Sequence, residues 1–429
     1  MERRLIEKMV RWKESASRRP LVIYGARQVG KTWLMKEFGN RYYPKVAYTT
    51  FFNNNRMKSV FERDYDIERI IMNISAESGV TVTPGDTLII LDEIQEAPKA
   101  LEALKYFCEE ASEYHVVAAG SMLGLSIHEG ISFPVGKVDE LTLYPLSFEE
   151  FLLAMGKDIL YKNLIDRRYD WMADLKEDYL EMLRNYYYVG GMPQIVQEFV
   201  SSRDYLEVRR LQKSLISQYE RDFGKHAKEE QRVRIIQIWN SIPVQLTKEN
   251  KKFFFGDVKK GARMKDFELA IQWLQNYGVV HKVSKVSKPA TPLKGYEDFS
   301  SFKLFLLDVG LVSAMTDLSS RTLIDGDSTF TEFKGALTEN YVLQQLKANT
   351  EYGLYYYSVD QNYEIDFLLD TPDNGIVPVE VKASENLRAK SFRTYCTKHQ
   401  PLTAIRTSTS DYREEDWMTN IPLYAIGTI

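Results

Sequence analysis

Gly25-Ala26-Arg27-Gln28-Val29-Gly30-Lys31-Thr32 decides how this chain is read. It fits G-x-x-x-x-G-K-[ST] at every fixed position. An apolar run, Leu21-Val22-Ile23-Tyr24, precedes it, and a helical pattern through Trp33, Leu34, Met35 and Phe38 follows. Strand, glycine-rich loop and helix in that order make an anion cradle. Gly25 and Gly30 allow a turn tight enough to aim successive amide N–H groups inward, and the helix start adds its positive end. Lys31 then reaches the terminal phosphates and the Thr32 hydroxyl ligates Mg²⁺. Gln28, Val29 and Trp33 complete the expected nucleotide-binding set for ATP. The alternative, a chance glycine-rich turn, does not account for the flanking strand and helix.

A second motif lies downstream. Leu88-Ile89-Ile90-Leu91-Asp92-Glu93 is a buried-strand pattern ending in two acids, which predicts Asp92 in the Mg²⁺ shell and Glu93 polarising an attacking water. A third run, Val116 to Gly120, ends in Ser121, whose hydroxyl either stands beside the γ-phosphate or caps the strand end. With Val46-Ala47-Tyr48 and Leu141-Thr142-Leu143, these runs alternate with amphipathic stretches, so residues 1–150 read as an α/β domain built on a buried parallel sheet.

The 429 residues favour about three folded units. Hydrophobic residues at 44% and charged residues at 27% exclude disorder and fibrous repeats. No apolar run approaches the roughly 18 residues of a spanning helix, and Met1 to Ser15 lacks a secretory stretch, so no membrane is expected and the cytoplasm is the expected compartment. Cys108 and Cys396 stand far apart and the five histidines are scattered, which leaves carboxylates as metal ligands.

From Phe151 to about Phe223 the strand signal gives way to helical spacing through Trp171, Leu175, Tyr179, Leu183 and Tyr187, predicting a helical subdomain over 151–224 that is broken at Gly190-Gly191-Met192-Pro193. Residues 225–290 read as helices around Ile235–Trp239 and Phe267–Tyr277 followed by the strand Val279–Val286, the outline of a winged helix. Pro289 and Pro292 mark an expected linker, and 291–429 return to mixed α/β character. The net charge of −4 argues against a chain that coats nucleic acid. Between Lys225 and Lys288, however, fourteen Lys/Arg face six Asp/Glu, a local balance of +8 that leaves −12 for the rest. Lys251, Lys252, Lys259 and Lys260 are therefore expected either to contact DNA as one stripe or to serve as a solubilising face.

On the P-loop, Leu141 to Phe151 (LTLYPLSFEEF), Gly190 to Pro193, Leu246 to Phe253 (LTKENKKF) and Phe302 to Leu311 (FKLFLLDVGL), the chain resembles AAA-type, STAND-like P-loop ATPases of bacteria and archaea. More narrowly, it resembles those with a C-terminal restriction-endonuclease-like domain. The resemblance implies that Ser121 is a polar sensor and that Pro193 abuts the nucleotide from a helical lid. It also puts an arginine phosphate sensor in question, because Gly136-Lys137 stands where Gly-Arg is common and lysine is only a point charge. Arg221 is a further finger candidate, against the plainer reading of an exposed helix-end arginine. Oligomers are compatible with this resemblance.

Near the C-terminus, Tyr363–Leu369 and Ile376–Lys382 flank the turn Thr371-Pro372-Asp373-Asn374-Gly375. A hairpin centred on Asp373 sets Asp366 opposite Glu380 and Glu364 opposite Lys382, all on one face. Opposed carboxylates destabilise a hairpin unless a cation or a shared proton lies between them, whereas Glu364 and Lys382 are expected to form an ordinary ion pair. This D…E-x-K pattern resembles the PD-(D/E)xK nuclease core. The resemblance implies that Asp366, Glu380 and the helix-borne Glu339 hold a metal while Lys382 activates water. The combined expectation is Mg-dependent ATP hydrolysis coupled to DNA binding or processing. The rival is an ATP-held switch whose C-terminal domain recruits a partner and cleaves nothing.

Overall fold

The computed structural model describes residues 1–120, 133–224, 227–248, 251–323, 331–359, 363–385 and 390–429. They fall into two units. One spans Glu2–Tyr144 with Asn276–Gly278, and the other spans Pro145–Gln275 and Val279–Ile429.

In the first unit, β1 (Leu21–Tyr24), β2 (Lys45–Thr50), β3 (Thr87–Asp92), β4 (His115–Ala119) and β5 (Asp139–Thr142) form a wholly parallel sheet in the order β2-β3-β4-β1-β5. The inner strands β1, β3 and β4 are buried at every residue, which is why their sequences are unbroken apolar runs rather than alternations. Edge strand β2 mixes exposed and buried positions. Ile89, Leu91, Val116 and Ala118 share one core with Phe61, Ile70, Ile74, Leu101 and Leu104 from the helices Asn55–Arg63, Ile67–Ser78 and Pro98–Glu110. Because β1 and β3 flank β4 in parallel, the loop after β1 and the acids ending β3 leave the sheet at the same edge. All five expected strands are present, and the class read for residues 1–150 holds.

The second unit begins with the helices Phe148–Ala154, Asp158–Ile165, Tyr169–Asp174, Lys176–Val189, Pro193–Ser202 and Tyr205–Phe223. Tyr179, Leu183 and Tyr187 are buried as their spacing predicts, whereas Trp171 lies in a separate short helix and is exposed. Helices Glu229–Leu246, Phe255–Val258 and Met264–Tyr277 follow. The chain then enters an eight-stranded mixed sheet of β6 (Val280–Val286), β7 (Glu297–Leu306), β8 (Gly353–Val359), β9 (Tyr363–Thr371), β10 (Gly375–Val381), β11 (Ile405–Ser408), β12 (Arg413–Glu415) and β13 (Met418–Pro422), ordered β12-β13-β11-β10-β9-β8-β6-β7. Here the structure departs from the sequence reading. Pro289 and Pro292 are not in a linker but in the connection between antiparallel β6 and β7, and β6 also pairs β8, so one sheet runs across the division expected at 290.

The Gly190-Gly191 break has a packing cause within this unit. Asp308, fully buried, accepts the Gly191 N–H at 2.6 Å and the Leu311 N–H at 3.1 Å, with Gln344 Nε2 at 3.2 Å. The Leu146 N–H donates to the Gly191 carbonyl at 2.7 Å. A Cβ on Gly191 would stand 2.2 Å from the Leu146 carbonyl oxygen, and one on Gly190 2.1 Å from Asp308 Oδ1. Three of the stretches singled out in sequence, around Leu146, Gly190 and Asp308, thus meet at one buried carboxylate. Burial raises its pKa to about 6 against the pull of the Gly191 and Leu311 amides. Gly191→Ala should therefore lower stability by roughly 1–3 kcal/mol, because backbone rather than a flexible side chain must move. Gly335→Ala, in the helix Thr331–Asn349 and facing open space, should not lower it. Denaturant midpoints of the two variants check this.

Candidate functional site

The P-loop closes over itself. Gly25 has φ 154°, Gln28 φ 68° and Gly30 φ 96°, and a Cβ on Gly25 would lie 2.4 Å from the Leu143 carbonyl oxygen, so only glycine fits there. Gly30 caps the helix Lys31–Tyr42. Lys31 folds back, its Nζ donating to the carbonyls of Gly25 at 2.8 Å and Ala26 at 3.0 Å. Burial lowers the Lys31 pKa to about 8, partly offset by Glu93 and Asp92. Val29 is buried, and Trp33 is 40% exposed at the helix start.

The β3 acids stand against this loop. Thr32 Oγ1 donates to Asp92 Oδ2 at 2.7 Å, and Tyr48 Oη, from neighbouring β2, donates to the same oxygen at 3.1 Å. The two predicted Mg²⁺ ligands are thus already in contact, an oxygen pair of the right chemistry for a hard cation. Glu93 adopts φ 53°, a strained setting for a side chain of its kind, and its carboxylate accepts from Gln95 Nε2. Ser121 lies outside the described residues.

Lys137 does not bear on this site. It precedes β5, at the end of the sheet where β1 begins, whereas the P-loop follows the end of β1, and it pairs with Glu109 at 2.8 Å. Arg221 is exposed in the last turn of its helix. Pro193 opens the helix Pro193–Ser202 in the second unit.

The second cluster lies on the large sheet. β9 and β10 pair in the predicted register through Phe367–Val379. Beyond that point the Asp366 carboxylate accepts the Val381 N–H at 2.8 Å and the Lys382 N–H turns to the Thr407 carbonyl at 2.8 Å, so the strands part. The expected Glu364–Lys382 pair is accordingly replaced. Lys382 Nζ pairs with Glu380 at 2.5 Å, and Glu364 pairs with Lys303 of β7 at 2.5 Å. Glu339, on the helix Thr331–Asn349, accepts from Lys251, and Lys303 Nζ lies 3.7 Å from its other oxygen, Oε2.

These groups act on one another as one unit. Burial, then Glu339 and Glu380, pushes Asp366 well above the usual carboxylate range. Burial also works against ionising Glu339, but Lys251 and Lys303 outweigh it and hold its pKa below the usual value. Burial raises the Glu380 pKa against the pull of Lys382. The carboxylates suit a divalent cation in kind. As arranged they do not fit one: Lys251, Lys303 and Lys382 are ion-paired with Glu339, Glu364 and Glu380, and among the described residues no three or more His, Cys, Asp or Glu stand in metal-holding geometry.

The basic stripe is also rearranged. Lys251 is drawn to Glu339, and its side chain is only 17% exposed. Lys259, Lys260, Arg263 and Lys265 are exposed, ahead of and at the start of the helix Met264–Tyr277.

Several residues of these sites carried no sequence signal. Arg3, buried near the N-terminus, donates to the carbonyls of Val29 at 3.2 Å and Tyr144 at 2.5 Å, bracing the P-loop from outside the motif. Tyr48 and Lys303 sit on strands paired far from their sequence neighbours. Gln95, two residues past Glu93, was near enough to be found.

Comparison with known proteins agrees with the first unit. Residues 17–152 match a family model described as an AAA domain, 180–322 match the domain of unknown function DUF8612, and 334–426 match the domain of unknown function DUF4143. The first unit thus matches an AAA domain over nearly its whole length and carries the P-loop on a parallel sheet, which supports ATP binding. An uncharacterised protein of Methanocaldococcus jannaschii is 22% identical over 390 residues, 87% of this chain and 77% of that one. Among solved structures, the Walker-type ATPase of Pyrococcus abyssi is 13% identical, with TM-score 0.46 over 73% of this chain and 95% of that chain. The Thermotoga maritima RuvB branch migration motor is also 13% identical, with TM-score 0.32 over 66% of this chain and 89% of that chain. Among the described residues no helix is long and apolar enough to cross a membrane.

Lys31 sets a pH test. A bound phosphate favours its ammonium form, so nucleotide binding should take up a proton as the pH rises through about 8, and affinity should fall above that pH. Calorimetry at pH 8.5 in buffers of different ionisation enthalpy measures the uptake; heats independent of buffer would mean that Lys31 is already charged.

Proposed function

We propose that this chain hydrolyses ATP with Mg²⁺ and couples the nucleotide state to DNA binding by its second unit. The observation that carries the first half is the Thr32–Asp92 contact beside Lys31, with Glu93 next in line. Thr32 and Asp92 would hold the ion, whose charge offsets that of the phosphates. Lys31 exchanges its loop carbonyls for phosphate oxygens on nucleotide binding. Glu93, oriented by Gln95, accepts a proton from the attacking water.

The second half rests on order and exposure. Three helices, Glu229–Leu246, Phe255–Val258 and Met264–Tyr277, lead into the β6–β7 hairpin, and the Phe253 N–H pairs with the Phe302 carbonyl of β7 at 2.8 Å, an arrangement that supports the winged-helix reading. Lys259, Lys260, Arg263 and Lys265 would contact phosphates. The order of the helix Thr331–Asn349, β8 to β10, the helix Lys390–His399 and β11 supports the reading of a restriction-endonuclease-like core, with Glu339, Asp366 and Glu380 in its acidic positions and Lys382 in its lysine position. The ion-paired lysines there favour the second reading for this domain, recruitment or binding without cleavage. ATP turnover with and without single- and double-stranded DNA, in Mg²⁺ and Mn²⁺, tests the proposal; DNA that neither binds nor changes turnover would remove its second half.

Lys31→Ala should lose nucleotide binding, whereas Glu93→Gln should keep it and lose turnover, since Lys31 meets ground-state phosphates and Glu93 acts on water. Nucleotide binding by fluorescence and phosphate release separate the two. Reversing the charge of Lys259, Lys260, Arg263 and Lys265 should weaken DNA binding and flatten its salt dependence by roughly 0.9 in log–log slope for each phosphate no longer neutralised. Titrations at low and moderate salt check this, and an unchanged slope would put the DNA-binding surface elsewhere.

A further inference from the structure

The three ammonium groups among the C-terminal carboxylates are held differently. Lys303 is fully buried and sits in β7 opposite Val283, and Lys382 follows β10 with its N–H on the Thr407 carbonyl, so both belong to the sheet. Lys251 does not. It comes from the connection between the helices Glu229–Leu246 and Phe255–Val258, tethered two residues later where Phe253 stacks on Phe302 with ring centroids 5.6 Å apart. Its ammonium is seated on Glu339, which is 4% exposed, and among the described residues no N–H donates to the buried Glu339 Oε2.

We propose that Lys251 is a built-in stand-in for a divalent cation: its ammonium fills the cation position at Glu339, and Glu339, Asp366 and Glu380 accept Mg²⁺ or Mn²⁺ only when it is withdrawn. This rests on the reading of Glu339, Asp366 and Glu380 as the acidic positions of a restriction-endonuclease-like core, not on cleavage by it, and adds what regulates their access to a cation. Four carboxylates (Glu339, Glu364, Asp366, Glu380) face three lysines in the cluster. With Lys251 removed, the ion pair left to Glu339 among the described residues is the long one to Lys303, at 3.7 Å. A buried carboxylate left that poorly compensated is costly, so the opened site favours another cation, and an all-oxygen donor set selects a hard one. Lys251 is the lysine able to leave, because its removal breaks no sheet hydrogen bond, whereas Lys303 and Lys382 are fixed by strand pairing.

The test uses Mn²⁺ as the probe, with the nucleotide-free full chain and electron paramagnetic resonance as the readout. Lys251→Met keeps the stem and removes the charge. It should bind Mn²⁺ at least tenfold more tightly than the unsubstituted chain, and adding Glu339→Gln should abolish the gain. Lys251→Arg, which retains the charge, should exclude Mn²⁺ as lysine does. Equal, Glu339-dependent binding by the unsubstituted chain and Lys251→Met would overturn the stand-in role and leave the metal-site reading standing. Absence of Glu339-dependent binding in both would overturn the two together. A second measurement needs no substitution. Amine acylation mapped by mass spectrometry should rise at Lys251 as Mn²⁺ is added, and labelling that stays constant while Glu339-dependent Mn²⁺ binding occurs would also overturn the role.

Discussion

A charge withdrawn from water must be met by a partner of opposite sign or by donors aimed at it, and the sites of both units follow from that constraint. At the P-loop, the Lys31 ammonium turns to the carbonyls of Gly25 and Ala26. Asp92, at the end of a fully buried strand, takes the hydroxyls of Thr32 and Tyr48. Both are provisional partners. Each is a weaker match than the phosphate and cation that the same atoms would meet, so the loop is self-satisfied without being committed.

The second unit meets the same constraint in two ways. Asp308 is compensated by neutral donors, the amides of Gly191 and Leu311 and the Gln344 side chain, and it joins the helical region to the large sheet. Its surroundings tolerate no added carbon at Gly190 or Gly191, so what looked in sequence like a helix break with a nucleotide role has a packing role first. The acidic cluster is compensated by full charges instead. Lys251, Lys303 and Lys382 stand among four carboxylates, so these charges are met within the chain. The two solutions differ in reversibility. Amides within a packed core cannot leave, whereas one long side chain on a loop can.

Much of this was legible in the sequence, for local reasons. The P-loop specifies its own conformation because glycine alone accepts the backbone at Gly25 and Gly30. The unbroken apolar runs of β1, β3 and β4 mark strands covered on both faces. The β9–β10 register followed from the turn at Asp373 and held through Val379. It stopped being predictive where the strands part and the Asp366 side chain takes the Val381 amide that a carbonyl would have taken. The Glu364–Lys382 pair was replaced at that point, and no local pattern could have foretold it.

What the sequence by itself determined was the nucleotide cradle, the acids that end β3, the helical and basic character of the middle of the chain, and the C-terminal hairpin. All of these depend on residues near one another along the chain. Only the tertiary structure decided that one sheet runs from β6 to β13 across the prolines at 289 and 292, that Arg3 braces the P-loop, and that Lys251 leaves the basic stripe for Glu339, 88 positions away. The physical reason is the same in each case. Strand pairing and compensation of buried charge act between whichever groups folding brings together, and which groups those are is a property of the packed chain, not of any stretch of it.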